Sequence, residues 1–119
     1  MKQVKTKPKI LSLFSGCGGL DLGFHMAGYE TVWANDFSHW ACESFKKNLG
    51  DVIKEGNIEE IDPNDPTIPD CDIILGGFPC QDFSMIWKQP GLDGERGNLY
   101  KSFLRFVNAK KPKVFVAEN

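Results

Sequence analysis

The chain has 119 residues, 41% of them hydrophobic and 12% aromatic, and its 14 basic and 16 acidic side chains give a net charge of −2. This size supports a single compact domain and argues against two. No stretch approaches the roughly 20 apolar residues of a membrane span, and the opening residues alternate lysine with polar residues, so we expect a cytoplasmic protein without membrane association. The slight acidity argues against a dedicated nucleic-acid-binding domain, which is usually basic.

Charge is distributed unevenly along the chain. Residues 1–50 carry six bases and four acids, residues 51–99 three bases and eleven acids, and residues 100–119 five bases and one acid. The strongly acidic middle is a poor docking surface for phosphates. A polyanionic ligand would therefore have to approach another part of the surface or be held by another chain.

The cysteines and histidines show no metal-site pattern. The four cysteines lie at positions 17, 42, 71 and 80 without a CxxC pair, so we expect reduced thiols and no disulfide framework. His25 and His39 have no partner at metal-ligand spacing. We therefore predict no metal.

Apolar segments and turns alternate along the chain in a strand–helix rhythm. The predicted strands are 10–14, 31–34, 52–53, 71–75 and 114–117, and the predicted helices are 20–27, 39–49 and 98–110. Trp33 and Trp40 are expected to lie in the core. Such alternation implies an open α/β sandwich with a parallel sheet of about five strands. Because the chain stops directly after a strand, we expect residues 1–119 to form a single partial domain with an exposed or partner-covered sheet edge.

A glycine-rich turn joins the first predicted strand to the first predicted helix. It comprises Phe14-Ser15-Gly16-Cys17-Gly18-Gly19. Glycines let the backbone turn sharply and approach a ligand closely, and the start of a helix offers free N–H groups. The spacing does not match GxGxxG, and the GK[ST] of a phosphate loop is absent, so a polyphosphate is not the best ligand.

The second predicted strand ends in Asn35-Asp36-Phe37. A carboxylate there can accept from both ribose hydroxyls, and a neighbouring ring can lie against an adenine, although an acid in this place is also a common helix cap. Together, the glycine turn and an acid about twenty residues later indicate an adenosine-containing cofactor.

A candidate nucleophile follows the predicted buried strand in the segment Gly77-Phe78-Pro79-Cys80-Gln81. A cysteine at the carboxyl end of a parallel strand lies at the edge where α/β proteins bind ligands. Cys42 and Cys71, within apolar segments, are better explained as buried, inert thiols. Cys80 is therefore the candidate for covalent chemistry.

Four segments in this order resemble the DNA (cytosine-5)-methyltransferase family. They are the turn 14–19 with its continuation to Phe24, Pro79-Cys80-Gln81 with Phe83-Ser84, the run 91–99, and the terminal Glu118-Asn119. The resemblance covers nearly the whole chain but only the front part of that family's catalytic domain. It implies a Rossmann-like methyltransferase fold, with helices on both faces of an open, mostly parallel sheet truncated before its last strands.

The resemblance also implies S-adenosylmethionine as cofactor and double-stranded DNA as substrate, within a restriction-modification system. The residues that it assigns to the cofactor are Phe14, Gly16, Gly18, Gly19, Leu20, Asp36, Phe37, Asn57, Ile58, Pro79 and Leu99. It assigns catalysis to Cys80, Glu118 and Asn119, and DNA contacts to Gln81, Ser84 and Arg96.

In the implied reaction, a Cys80 thiolate adds to carbon 6 of cytosine while Glu118 protonates or hydrogen-bonds N3, which makes carbon 5 nucleophilic. Asn119 would hold the Cys80 loop or Glu118 in position. Two residues depart from the family's pattern. Asn57 replaces the usual aspartate, so we expect weaker cofactor binding, and Trp87 replaces a common glycine in the catalytic loop, which bears on loop closure.

Because the later motifs and the target-recognition domain are missing, we expect negligible methyl transfer by the isolated chain. The expected partners are DNA and a carboxyl-terminal fragment or subunit, or a second copy through the exposed sheet edge. Two other functions stay open at this point: cytosine-5 methylation of tRNA, and a non-catalytic module for cofactor binding or assembly.

Overall fold

The computed structural model describes residues 6–78 and 95–118, without the side chains of residues 95–98. The strands are β1 Lys9–Leu13, β2 Glu30–Asp36, β3 Ile53–Glu55, β4 Ile73–Gly77 and β5 Val114–Glu118. The α-helices are α1 Gly19–Met26, α2 His39–Leu49 and α3 Glu95–Lys110, and a short 3-10 helix spans Ile58–Glu60. Each predicted strand and helix is present.

The five strands form one sheet in the order β3-β2-β1-β4-β5, and every neighbouring pair is parallel. The chain builds outward from β1 to β3 and then returns to the other side of β1 as β4. The strand order therefore reverses between β1 and β4, and open α/β sheets bind ligands outside the carboxyl ends of the strands at such a reversal. The predicted five-stranded parallel α/β fold is confirmed.

Helices cover both faces of the sheet, as adjacent residues of β2 show. Trp33 stacks on Phe106 of α3, with ring centroids 6.0 Å apart. Its neighbour Ala34 belongs to a separate apolar cluster with Phe45 of α2. Because successive side chains of a strand point to opposite faces, α2 and α3 lie on opposite sides of the sheet.

A buried carboxylate fastens α1 to the sheet. Asp21, in the first turn of α1, is fully buried and accepts hydrogen bonds from Ser12 Oγ at 2.8 Å and Thr31 Oγ1 at 2.7 Å. A buried charged group is tolerated when it is hydrogen-bonded, as this one is by hydroxyls from β1 and β2. The network therefore fixes the start of α1, and with it the glycine turn, against two strands.

Two details differ from the prediction. Helix α3 begins at Glu95 and not near Asn98, because a glycine such as Gly97 costs a helix only about 1 kcal/mol and does not stop it. Trp40, expected in the core, is 78% exposed. Five positions separate it from the buried Phe45, which places it toward the opposite side of α2.

None of the helices in the described part of the chain is long and apolar enough to cross a membrane.

Candidate functional site

The glycine turn after β1 is built from left-handed backbone conformations. Phe14, Gly16 and Gly18 have φ angles of 53°, 57° and 92°. Gly18 N–H donates to Ser15 O at 3.0 Å, and Ser15 N–H donates to Asn35 O at 3.2 Å. The turn is thus closed on itself and attached to the end of β2.

Asp36 connects the turn to the start of α2. Its Oδ2 accepts from Gly16 N–H at 2.8 Å, and its Oδ1 accepts from Ser38 N–H at 2.9 Å. A carboxylate oxygen has two lone pairs, so both oxygens keep acceptor capacity for a ligand. The adjacent Phe37 side chain is 76% exposed. An acceptor pair and an uncovered aromatic side chain therefore adjoin the glycine turn.

The segment after β3 places Asn57 and Ile58 in different environments. Asn57 is exposed and caps the 3-10 helix, with its Oδ1 accepting from Glu59 N–H at 3.0 Å. Ile58 is 3% exposed and belongs to the larger apolar core. Its side chain is thus mostly covered by protein, and its assignment to the cofactor stays a prediction.

Two polar side chains for which no role was predicted hold this segment in place. Asn35 Nδ2 donates to Lys54 O at 2.9 Å and to Gly56 O at 3.1 Å. Arg105 Nη2 donates to Ile58 O at 2.8 Å from α3. A role for Asn35 was weakly indicated by its position, because a buried amide next to Asp36 must find hydrogen-bond partners. The bond from Arg105 joins residues 47 positions apart and had no sequence signal.

The carboxyl ends of β1, β4 and β5 meet at one point. Phe78, directly after β4, donates its N–H to Glu118 O at 3.0 Å, and its ring centroid lies 4.8 Å from that of Phe14. A Cβ placed on Gly77 would lie 3.4 Å from Phe14 O and 3.9 Å from Glu118 Oε2. Phe14 and Glu118, both predicted site residues, therefore flank the end of β4.

The other predicted site residues divide into two groups. Leu20 and Leu99 are half-buried, and Leu99 packs against the larger core. Those outside the described residues are Pro79, Cys80, Gln81, Ser84, Asn119 and the side chain of Arg96. Pro79, the first of these residues, directly follows Phe78 in the sequence.

The three thiols of the described region differ in exposure. Cys17, in the glycine turn, is exposed. Burial raises the pKa of the half-buried Cys71 to about 11. Burial, followed by the nearby charge of Asp36, also raises the pKa of Cys42. Cys42 and Cys71 thus have the environment expected of inert thiols.

We expect iodoacetamide to alkylate Cys17 rapidly at about pH 8 and to spare Cys42 and Cys71 while the chain is folded. Only the thiolate reacts, and a pKa raised to about 11 leaves Cys71 about one part in a thousand ionised at that pH. Peptide mass spectrometry after timed labelling measures the order. Labelling of Cys71 as fast as Cys17 in the folded chain would contradict this assignment.

The histidines have structural partners. His25 Nε2 accepts from Thr31 N–H at 3.1 Å, and His39 Nδ1 lies 2.9 Å from Glu55 Oε1 at the surface. Across residues 6–78 and 95–118, no group of three or more His, Cys, Asp or Glu side chains is arranged to hold a metal ion.

This fold, with a glycine turn and an acid at the strand-order reversal, is that of a Rossmann-like methyltransferase domain. The sequence profile of the family described as C-5 cytosine-specific DNA methylase matches residues 8–119. The chain therefore belongs to the C-5 cytosine-specific DNA methylase family. S-adenosylmethionine is the methyl donor of these methyltransferases.

Similar proteins include bacterial type II methyltransferases. The chain is 92% identical over 113 residues to M.NgoFVII of Neisseria gonorrhoeae, covering 95% of this chain and 30% of the relative. It is 41% identical over 111 residues to M.HhaI of Haemophilus parahaemolyticus, covering 93% of this chain and 33% of the relative. The chain thus spans about a third or less of these relatives' lengths.

Two solved structures share the fold. One, described as a DNA modification methyltransferase encoded within an E. coli prophage, aligns with a TM-score of 0.76 at 28% identity, over 93% of this chain and 31% of that one. The Dnmt2 methyltransferase of S. pombe aligns with a TM-score of 0.63 at 23% identity, over 86% of this chain and 29% of that one.

The residues around the glycine turn fit the adenosine part of S-adenosylmethionine. A Cβ built on Gly16 or Gly19 would meet no atom within 4 Å, so there is open space beside the turn. Asp36 offers acceptors of the kind that ribose hydroxyls need, and Phe37 offers an aromatic surface for a base. The donors and acceptors present match an uncharged nucleoside better than a polyphosphate.

Proposed function

We propose that this chain supplies the cofactor site and the catalytic Cys80 and Glu118 of an enzyme that methylates carbon 5 of cytosine in double-stranded DNA. The observation that carries the proposal is the meeting of Phe14, Gly77 and Glu118 at the strand ends. Cys80 follows Phe78 by two residues, which span about 7 Å at most. This short tether supports the proposal that the thiol acts beside the Glu118 carboxylate and the glycine turn.

Glu118 and Cys80 divide the chemistry on the cytosine ring. The thiolate forms a bond to carbon 6, and the ring electrons move toward carbon 5 while Glu118 donates a proton or hydrogen bond at N3. When bound, S-adenosylmethionine would supply the electrophilic methyl group that carbon 5 takes and would leave as S-adenosylhomocysteine. Loss of the carbon 5 proton to a base, with return of any N3 proton to Glu118, then restores the ring double bond and expels the thiolate. Asn119 holds the Cys80 loop or Glu118 in place.

The cofactor's adenosine part is bound beside the glycine turn. Asp36 accepts from the ribose hydroxyls, Phe37 packs on the adenine, and Asn57 accepts from the adenine amino group. Glycines at 16, 18 and 19 allow close approach. The remaining proposed contacts are apolar: Phe14, Leu20, Ile58, Pro79 and Leu99. Gln81, Ser84 and Arg96 are proposed to contact the DNA, from which the target base must leave the stack.

We propose that methyl transfer requires the part of the enzyme that the relatives contain and this chain does not span. We define the completed chain as residues 1–119 followed by the remaining length of M.NgoFVII, whose corresponding part is 92% identical. The test compares labelled methyl transfer by the 119-residue chain and by the completed chain, on duplex DNA and on tRNA. We expect the completed chain to label duplex DNA and the 119-residue chain to label neither substrate. Preferential labelling of tRNA, or cofactor binding without transfer to either, would overturn the proposal.

Replacing Asn57 with aspartate is expected to tighten S-adenosylmethionine binding by roughly three- to tenfold, because a charged acceptor makes a stronger hydrogen bond to the adenine amino group. Calorimetry on the completed chain measures the change. Asn64→Asp, which adds the same charge elsewhere in the exposed acidic segment, is the matched control and should leave affinity unchanged. Equal effects of the two substitutions would mean that Asn57 does not contact the adenine.

A further inference from the structure

Arg105 links α3 to the segment that carries Asn57. Its Nη2 donates to Ile58 O at 2.8 Å, across 47 positions of sequence. We propose that Arg105 is a positioning residue for the adenine end of the cofactor site: by holding Ile58, it sets where Asn57 presents its side chain. This inference rests on the proposed role of Asn57.

The short helix transmits the position of Ile58 to Asn57 because the two belong to one closed turn. Asn57 Oδ1 accepts from Glu59 N–H at 3.0 Å, and Asn57 O accepts from Glu60 N–H at 3.0 Å. Ile58 O accepts from Ile61 N–H at 3.2 Å as well as from Arg105. A shift of this carbonyl therefore moves the whole turn, including the Asn57 side chain.

The other end of the link is rigid. Arg105 adjoins Phe106, which is fully buried, and its guanidinium carbon lies 5.9 Å from the Phe106 ring centroid. Phe106 in turn stacks on Trp33 of the central sheet. A guanidinium presents its donors in a planar, preorganised fork, so it loses little freedom when it binds a carbonyl. Arg105 thus holds the Asn57 turn at a position set by the core.

Charge reinforces this link. Glu59, Glu60 and Asp62 line one open cleft together with Lys101 and Arg105. The acidic segment therefore faces a cationic stretch of α3. Arg105 is distinguished within that stretch by its bond to the turn that contains Asn57.

The chain provides a matched control in Lys110. Its Nζ donates to Ile68 O at 2.9 Å, so it also joins α3 to the acidic segment by a bond from a cation to a carbonyl. Ile68 lies eleven positions beyond Asn57. Loss of either bond loosens the segment on α3, but only the loss of the Arg105 bond should disturb Asn57.

A double-mutant cycle on the completed chain tests the proposal. Three substitutions are each made both in the chain that keeps Asn57 and in the Asn57→Ala variant: Arg105→Gln, Arg105→Lys and Lys110→Gln. The S-adenosylmethionine affinity and the melting temperature of every variant are measured. We expect Arg105→Gln to weaken binding about tenfold when Asn57 is present and less than about twofold in the Asn57→Ala background. Arg105→Lys should restore part of the loss, and Lys110→Gln should change affinity less than about twofold.

The outcomes separate this inference from the function on which it rests. If Arg105→Gln weakens binding equally in both backgrounds, or if Lys110→Gln has the same effect, Arg105 serves general stability and the proposal is wrong. If Asn57→Ala leaves affinity unchanged while the cofactor binds, the proposal and the assignment of Asn57 both fail. If the completed chain binds no S-adenosylmethionine, the proposed function itself fails.

Discussion

Replacing Gly18 with alanine is expected to lower the free energy of unfolding by about 3 kcal/mol. The added Cβ would collide with Leu49 Cδ1 and would lie 2.9 Å from Cδ2 of Phe45, which is fully buried and has little room to move. The φ angle of 92° adds backbone strain for a residue with a Cβ. Chemical denaturation followed by circular dichroism measures the loss.

Gly19→Ala is the matched control, one residue further along. A Cβ there meets no atom within 4 Å, and Gly19 is the first residue of α1, where alanine favours the helix. We expect unchanged or slightly higher stability but weaker S-adenosylmethionine binding, because the methyl group enters the space proposed for the cofactor. Stability losses of equal size at both glycines would show that packing against Leu49 and Phe45 is not the cause.

Replacing Glu118 with glutamine is expected to slow methyl transfer by the completed chain roughly 10²- to 10⁴-fold, the usual contribution of a positioned general acid. An amide keeps the size of the side chain but cannot deliver a proton to N3. Since the proposed cofactor contacts lie elsewhere, the affinity for S-adenosylmethionine should be unchanged. Single-turnover rates and calorimetry measure the two quantities separately.

Glu30→Gln makes the same substitution at the opposite end of the sheet, where Glu30 begins β2 and is exposed. The rate should then equal that of the unsubstituted enzyme. A normal rate in Glu118→Gln would rule out proton donation by Glu118, and a matching loss of cofactor affinity would reassign it to binding.

The fold was largely predictable because each local pattern agrees with the global architecture. Apolar runs at 10–14 and 71–75 became the strands β1 and β4, and α2 ended at Leu49 as predicted. The strand–helix alternation fixed parallel pairing, since parallel strands need a crossover. Because parallel strands all end at the same edge of a sheet, the residues at the ends of β1, β4 and β5 are predicted to lie together. Phe14, Phe78 and Glu118 do meet there.

Contacts between distant segments were not predictable from local patterns. The bonds from Arg105 to Ile58 and from Lys110 to Ile68 depend on how an irregular acidic segment lies against α3. The exposure of Trp40 depends on which side of α2 faces the sheet, and Phe45 and Cys42 determine that orientation. Such features are set by tertiary packing, which overrides residue preference.

Covalent trapping shows directly whether Cys80 attacks cytosine. The completed chain is incubated with S-adenosylmethionine and duplex DNA in which 5-fluorocytosine replaces cytosine, so that no proton can leave carbon 5 and the thiol cannot be expelled. We expect a protein–DNA complex that survives denaturing electrophoresis, is lost in Cys80→Ala and persists in Cys71→Ala. A complex that forms equally well in Cys80→Ala, or none from an enzyme that methylates ordinary DNA, would contradict attack by Cys80.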